Sequence, residues 1–165
     1  MAESTRRHFL RNAWKAGSAT LLAAFGYTAY EALRPLTTGA AGTKIVVGDA
    51  TRFSVGTSTY VPAGRLYVVN AKNHLFALSQ KCPHLGCKVP YCASSGRFEC
   101  ACHGSVYDIA GEYISGPTPR GMDRYQLTLD GANVVVDTSV LHLGPDRGVR
   151  DFYADPLGPS CIGKA

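Results

Sequence analysis

Two short boxes, Cys82-Pro83-His84-Leu85-Gly86-Cys87 and Cys100-Ala101-Cys102-His103-Gly104-Ser105, constrain this chain more than anything else in it. Between Cys82 and Tyr107 lie five of the six cysteines and two of the five histidines. Each box offers a Cys and a His at close spacing, Cys82-x-His84 and Cys100-x-x-His103, plus one further cysteine. Fifteen residues separate His84 from Cys100. Thiolates and imidazoles gathered in this way are ligands for a soft or borderline metal, or for an iron–sulfur cluster. The rest of the chain reads as the scaffold that carries them.

That scaffold is written in β-language from Thr43 onward. Short segments rich in Val, Ile, Tyr and Phe (Lys44–Val47, Arg65–Asn70 and His74–Ser79) are bounded by Pro62-Ala63-Gly64 and Ala71-Lys72-Asn73. The second and third form a hairpin that leads into the first box, and Arg97–Cys100 leads into the second. Beyond the boxes come Val106–Asp108, a turn at Ala110-Gly111, and Glu112–Ser115. The alternating segment Tyr125–Leu129 follows, then a turn at Asp130-Gly131 and Asn133–Asp137. Many short antiparallel strands imply an all-β domain, a small sandwich or barrel over residues 43–140, with the cluster-binding part at 80–120. A hydrophobic content of 45% with 18% charged residues suits a domain that buries a core. The net charge of +5 is too modest to imply nucleic acid. Residues 141–165 are irregular, rich in Gly and Pro, and expected to run over the surface without an assigned function. His74 and His142 read as surface histidines.

The basic residues cluster at the start, with Arg6, Arg7, Arg11 and Lys15 in one run. Ser4-Thr5-Arg6-Arg7-His8-Phe9-Leu10, followed by an uncharged, mildly apolar stretch from Ala16 to Tyr30, resembles a twin-arginine export signal. Such a route carries folded proteins, as a cluster built in the cytoplasm would require. Residues 1–12 are then a cytoplasmic segment and 13–34 a signal-anchor or transmembrane helix. Fifteen residues make a helix of only about 22 Å, against a hydrocarbon core of about 30 Å. Trp14, Lys15, Glu31 and Arg34 would therefore lie at the interfaces. Pro35 is expected to stop the helix and residues 35–42 to form a flexible linker. An uncleaved single span is preferred over cleavage near Gly39-Ala40-Ala41. It places the cluster domain on the outer, periplasmic face of a bacterial plasma membrane.

Two Cys and two His also satisfy tetrahedral zinc. Cys82-x-His84 is tighter than the usual spacing within a zinc half-site, and zinc leaves Cys87 and Cys102 without a reason. If each Cys–His pair is shared between two irons, two cysteines can hold one iron and two histidines the other, the Rieske arrangement of a [2Fe–2S] centre. CPHLGC followed by CACHGSVYD resembles the two cluster-binding boxes of the Rieske proteins of cytochrome bc and b6f complexes, over about Thr43 to Val140. Pro83 stands where many relatives have Thr, and Ala101 where many have Pro.

The resemblance implies Cys82, His84, Cys100 and His103 as cluster ligands and a Cys87–Cys102 disulfide tying the two loops together. It implies that Ser105 donates to a bridging sulfide and Tyr107 to a ligand sulfur, both raising the potential. Gly116-Pro117-Thr118-Pro119 is similar to the family's proline loop, so Gly116, Pro117 and Pro119 are expected to cover a third side of the cluster. Leu85 beside His84 would sit at an apolar tip where both histidines meet quinol. Cys92 and Cys161 are left over, and in an exported domain they suggest a second disulfide that pins the tail.

The charge count explains the histidines. Two ferric ions, two sulfides, two thiolates and two neutral imidazoles sum to zero, so an added electron meets less repulsion than in an all-cysteine cluster. Rieske potentials accordingly reach about −150 to +300 mV. Imidazole also has a second nitrogen that can exchange a proton with quinol. The resemblance therefore implies the electron-transfer subunit of a quinol-oxidising cytochrome bc-type complex. Its partners would be a cytochrome b-type membrane subunit, a c-type cytochrome or similar acceptor, quinol, and the membrane through the N-terminal helix. The alternatives are a Rieske subunit of another exported oxidoreductase, such as an arsenite-oxidase-like enzyme, or a ferredoxin of an oxygenase. Cys87 and Cys102 argue against the last.

Overall fold

A computed structural model describes residues 2–33 and 42–163. The chain divides into two units, an N-terminal helical one and a β domain. The expected linker at 35–42 lies outside the described residues, except for Gly42.

Helix α1 runs without a break over Ala2–Leu33, so the paired arginines and the apolar stretch share one helix. Among the described residues no helix is long and apolar enough to cross a membrane. The apolar side chains of α1, including Phe9, Trp14, Leu21, Leu22 and Phe25, are exposed.

Among the described residues the β domain contains ten strands: β1 (Lys44–Asp49), β2 (Ser58–Val61), β3 (Leu66–Ala71), β4 (His74–Ser79), β5 (Tyr91–Cys92), β6 (Arg97–Cys100), β7 (Ser105–Tyr107), β8 (Tyr113–Ser115), β9 (Arg124–Asp130) and β10 (Asn133–His142). They form two antiparallel sheets. One is six-stranded in the order β1-β10-β9-β4-β3-β2, and the other is four-stranded in the order β5-β6-β7-β8. The all-β expectation holds, and the hairpins fall where the turn residues place them. The β3–β4 turn puts Lys72 and Asn73 at φ 49° and 67° between the paired Ala71 and His74. A two-residue hairpin with both central residues left-handed is the form whose twist matches the strands it joins.

Strand β3 shows how the core is divided. Side chains of a strand alternate between faces, and both faces of β3 are buried. Leu66 and Val68 join Phe53, Ala77, Val134 and Val136 in one cluster. Tyr67 and Val69 point the other way, into a cluster with Leu78, Val89, Phe98, Tyr107 and Met122. Cys82 and Cys100 belong to this second cluster. The two box-one and box-two cysteines are thus extensions of the core between the sheets, so packing fixes their backbone.

The described part of the tail is mostly exposed, and it is also fastened to the domain. Strand β10 continues to His142 through an irregularity between Asp137 and Leu141. The residues beyond it are fastened to the domain by Cys92–Cys161 and by hydrogen bonds from Lys72, Arg97 and Arg147 to tail or loop carbonyls.

Candidate metal centre

Each box is a tight loop closed by the same device. The Gly86 amide donates to the Cys82 carbonyl at 2.9 Å, and the Gly104 amide donates to the Cys100 carbonyl at 3.0 Å. Both glycines have positive φ, 80° and 73°, a region that L-residues with a Cβ rarely occupy. The Cys82 amide also donates to the Cys87 carbonyl at 2.8 Å. Box one is thereby a loop hanging between Lys81 and Lys88, which pair as an isolated bridge. Box two is the turn between β6 and β7, with Cys100 opposite Ser105.

These loops place Cys82 and Cys100 in one buried cluster and bring the His84 and His103 rings into contact. Cys82 and Cys100 are free thiols, 3% and 2% exposed. Burial above all pushes the Cys100 thiol up from its ordinary pKa, and Cys82 nearby adds to that. A bound metal would reverse this preference, because coordination deprotonates a thiol outright. The rings of His84 and His103 meet edge to face with centroids 4.9 Å apart. His103 is exposed and His84 half-buried. Leu85, next to His84 in the chain, is 71% exposed. Two buried sulfurs inside and two imidazoles outside make a donor set that runs from core to solvent.

Cys87 and Cys102 are joined by a disulfide with sulfurs 2.15 Å apart. Those sulfurs and the Cys100 sulfur lie within 4.8 Å of one another, so the crosslink sits against one candidate ligand, Cys100. The Tyr107 hydroxyl lies 3.2 Å from the Cys82 sulfur. Burial, then the contact with Cys82, raises the phenol's pKa. The Ser105 hydroxyl is buried and has no partner among the described residues. A buried hydroxyl without a partner costs about 1–3 kcal/mol. A bridging sulfide would supply an acceptor there. Buried thiols, accessible imidazoles and an unpartnered donor therefore fit a cluster held by Cys82, Cys100, His84 and His103.

The Gly116–Pro119 loop packs on box two. At Gly116, φ is 99° and an added Cβ would come within 2.5 Å of the Ser105 Cα and 2.7 Å of the Gly104 carbonyl oxygen. Only glycine allows this approach. Pro117 and Pro119 are exposed, whereas Thr118 between them is fully buried.

Several contributors carry no motif. Glu99, next to Cys100 in β6, is buried, and its carboxylate accepts from Ser95 Oγ (2.6 Å), Ser160 Oγ (2.8 Å), the Cys161 amide (2.8 Å) and the Ile162 amide (3.1 Å). Burial works to raise its pKa, but these four donors prevail and hold it below the usual glutamate value. A charge in the middle of a short strand, beside a cysteine, was a signal of such a role. Cys92 and Cys161 form the second disulfide, sulfurs 2.03 Å apart. His74 and His142 lie away from the boxes. His74 Nδ1 is 3.1 Å from the Lys72 carbonyl oxygen, and His142 Nε2 is 2.9 Å from Gln126 Oε1.

Comparison with known proteins identifies the domain that carries these boxes. The family model described as the Rieske [2Fe-2S] domain matches residues 42–126. The chain is 31% identical over 100 residues to the cytochrome b6-f complex iron-sulfur subunit of Chlorobaculum thiosulfatiphilum, covering 54% of this chain and 55% of that protein. It is 40% identical over 79 residues to the subunit of the same name from Synechococcus sp. (strain JA-3-3Ab), covering 48% and 43%. The chain thus spans about half the length of these relatives. Among solved structures, a hyperthermophilic respiratory Complex III matches at 24% identity and TM-score 0.45, covering 73% of this chain and 96% of that one. A cyanobacterial plasma membrane Rieske protein from Synechocystis matches at 26% identity and TM-score 0.45, covering 56% and 98%.

Proposed function

The chain belongs to the Rieske [2Fe-2S] family, whose domain it carries over residues 42–126, and from that premise we propose that it is the electron-transfer subunit of a membrane quinol-oxidising complex of the cytochrome bc type. Membership implies a [2Fe–2S] cluster and removes the zinc alternative. Cys82 and Cys100 would hold one iron and His84 and His103 the other. When bound, the cluster supplies a one-electron acceptor of high potential.

The observation that carries the proposal is the joint presence of a contacting imidazole pair, His103 exposed and His84 half-buried, and two buried donors. His84 and His103 meet edge to face, with the exposed Leu85 next to His84 in the chain, so a quinol hydroxyl could donate to an imidazole nitrogen that the metal would leave free. Tyr107 and Ser105 lie on the buried side, where hydrogen bonds to sulfur favour the reduced state. The Cys87–Cys102 bridge restricts the two loops that present the ligands. Gly116, Pro117 and Pro119 stiffen the cover beside box two.

The partners in this reading are a cytochrome b-type membrane subunit that presents quinol and a c-type cytochrome or similar acceptor. Helix α1, with its exposed apolar side chains and N-terminal arginines, would hold the chain at a bacterial plasma membrane. The cluster domain would then lie on the periplasmic side. The relatives named as subunits of cytochrome b6-f complexes support this assignment.

A redox titration of the isolated chain, followed by electron paramagnetic resonance, tests the proposal. The expected midpoint lies in the upper part of the range of about −150 to +300 mV. A midpoint near about −400 mV, the plant-type ferredoxin value, would sink it. His84→Cys is expected to lower the potential and abolish quinol oxidation in the assembled complex. Retained quinol oxidation would remove His84 from its role.

A further inference from the structure

The segment from Gly144 to Cys161 leaves β10 and makes its first contacts with the far side of the proline loop. Gly144 and Gly121 are in backbone contact, since a Cβ on Gly144 would meet the Gly121 carbonyl oxygen at 2.2 Å. The Gly121 amide donates to the Pro145 carbonyl at 2.8 Å, the Gly144 amide donates to Asp123 Oδ1 at 2.9 Å, and Arg120 pairs with Asp146 as a β-bridge. These contacts deliver Arg147 to the loop. Its Nε donates to the Thr118 carbonyl at 2.8 Å, and its Nη2 donates to the Gly116 carbonyl at 3.0 Å and also to that of Thr118. The guanidinium stands over the Tyr113 ring at 4.5 Å, and the Tyr113 hydroxyl donates to the same Gly116 carbonyl at 3.0 Å.

The proline loop needs such donors from outside. Pro117 and Pro119 have no N–H, so the loop cannot close on itself as an ordinary turn does, and its carbonyls must find partners elsewhere. One planar guanidinium with fixed fork geometry serves two of them at once. On its opposite side the loop lies against box two through Gly116. The strap's far end is made fast to β5 and β6 by Cys92–Cys161 and by the buried Glu99 carboxylate. The segment is thus fixed at both ends, with Arg147 between them.

We propose that Arg147 is a positioning residue for the cluster site: carried by the C-terminal strap, it clamps the Gly116–Pro119 loop onto box two. This rests on the cluster reading above for its functional meaning, but the clamp itself is made by protein contacts alone. Arg147 touches neither ligand nor substrate and acts through the loop.

Amide hydrogen exchange on the full chain, with and without its cluster, tests the clamp. Arg147→Ala is expected to speed exchange at Ile114–Gly116, Thr118 and Ser105 by about ten-fold, while Val68 and Val136 in the six-stranded sheet stay at their wild-type rates. Arg147→Lys should restore part of the protection, because an ammonium can serve one carbonyl but not the fork. In the cluster-loaded chain, Arg147→Ala should keep its iron and yet show a changed paramagnetic line shape and a shifted midpoint. Unchanged exchange at the loop, or a rise spread equally over both sheets, would overturn the clamp. An intact clamp in a wild-type chain that binds no iron would instead overturn the cluster reading alone.

Discussion

The Tyr107 hydroxyl lies 3.2 Å from the Cys82 sulfur, and both residues are buried. Burial also raises the phenol's pKa, so it remains a donor at any working pH. A hydrogen bond that gains about 1.4 kcal/mol on reduction is worth about 60 mV in a one-electron couple. Tyr107→Phe should therefore lower the midpoint by about 60 mV. Ser105→Ala, which removes the second buried hydroxyl of β7, should do the same, and the pair of substitutions should lower it further. Redox titration of the three variants decides the matter. Midpoints equal to wild type would remove both hydroxyls from any part in setting the potential.

The two disulfides should separate by what they protect. Cys92–Cys161 spans 69 residues, and loop-closure entropy puts its contribution at about 4 kcal/mol, with about 2–4 kcal/mol typical in practice. Changing both cysteines to Ser should lower the unfolding free energy from urea denaturation by that amount without loss of iron, because neither residue lies in the two boxes. Cys87–Cys102 spans 15 residues and joins the two ligand loops. Its double Ser variant should lose bound iron under conditions where the other variant keeps it. Denaturation followed by visible absorption reads both effects, and unaltered stability in the Cys92/Cys161 variant would contradict the first.

The site was more legible than its supports, and the reason is physical. The boxes stand out by side-chain chemistry at close spacing, so Cys82, His84, Cys100 and His103 were visible as candidate ligands, and the family resemblance gave them, the Cys87–Cys102 crosslink and the proline loop their expected roles. Hairpins such as Ala71–His74 were legible because left-handed turn residues are few in kind. Strands β2 and β5 were not, since Ser58–Val61 is half polar and Tyr91–Cys92 is only two residues long. The tail was opaque for a different reason. Its ties at Asp151 and Ala154 are backbone carbonyls that accept from Lys72 and Arg97, and any residue offers a carbonyl. Arg147 likewise finds its partners on a loop's main chain. Only Cys161 announced the strap, through its odd position outside the boxes.

Asp108 gives the domain a pH dependence of its own. Its Oδ1 accepts from the amides of Ala110 (2.9 Å) and Glu112 (2.8 Å), while Oδ2 is buried without a partner among the described residues. Burial pushes its pKa up to about 7, and the neighbouring Glu112 carboxyl adds to this against the two amides. Arg124 is the cation that faces the pair, but its Nη2 is engaged by the Ala110 carbonyl. In the unfolded chain an aspartate has a pKa of about 3.9. The folded value is the higher one, so the folded state binds the proton more tightly. The resulting stability is fully present below about pH 4 and disappears as pH rises through about 7. Between pH 6 and 8 the loss should be about 1 kcal/mol. Asp108→Asn keeps an oxygen for both amides and cannot ionise, so that component of the slope should vanish in the variant. Urea denaturation of both proteins at pH 6 and pH 8 measures the difference. An identical pH slope in the two would show that Asp108 is already ionised at pH 6 in the folded domain.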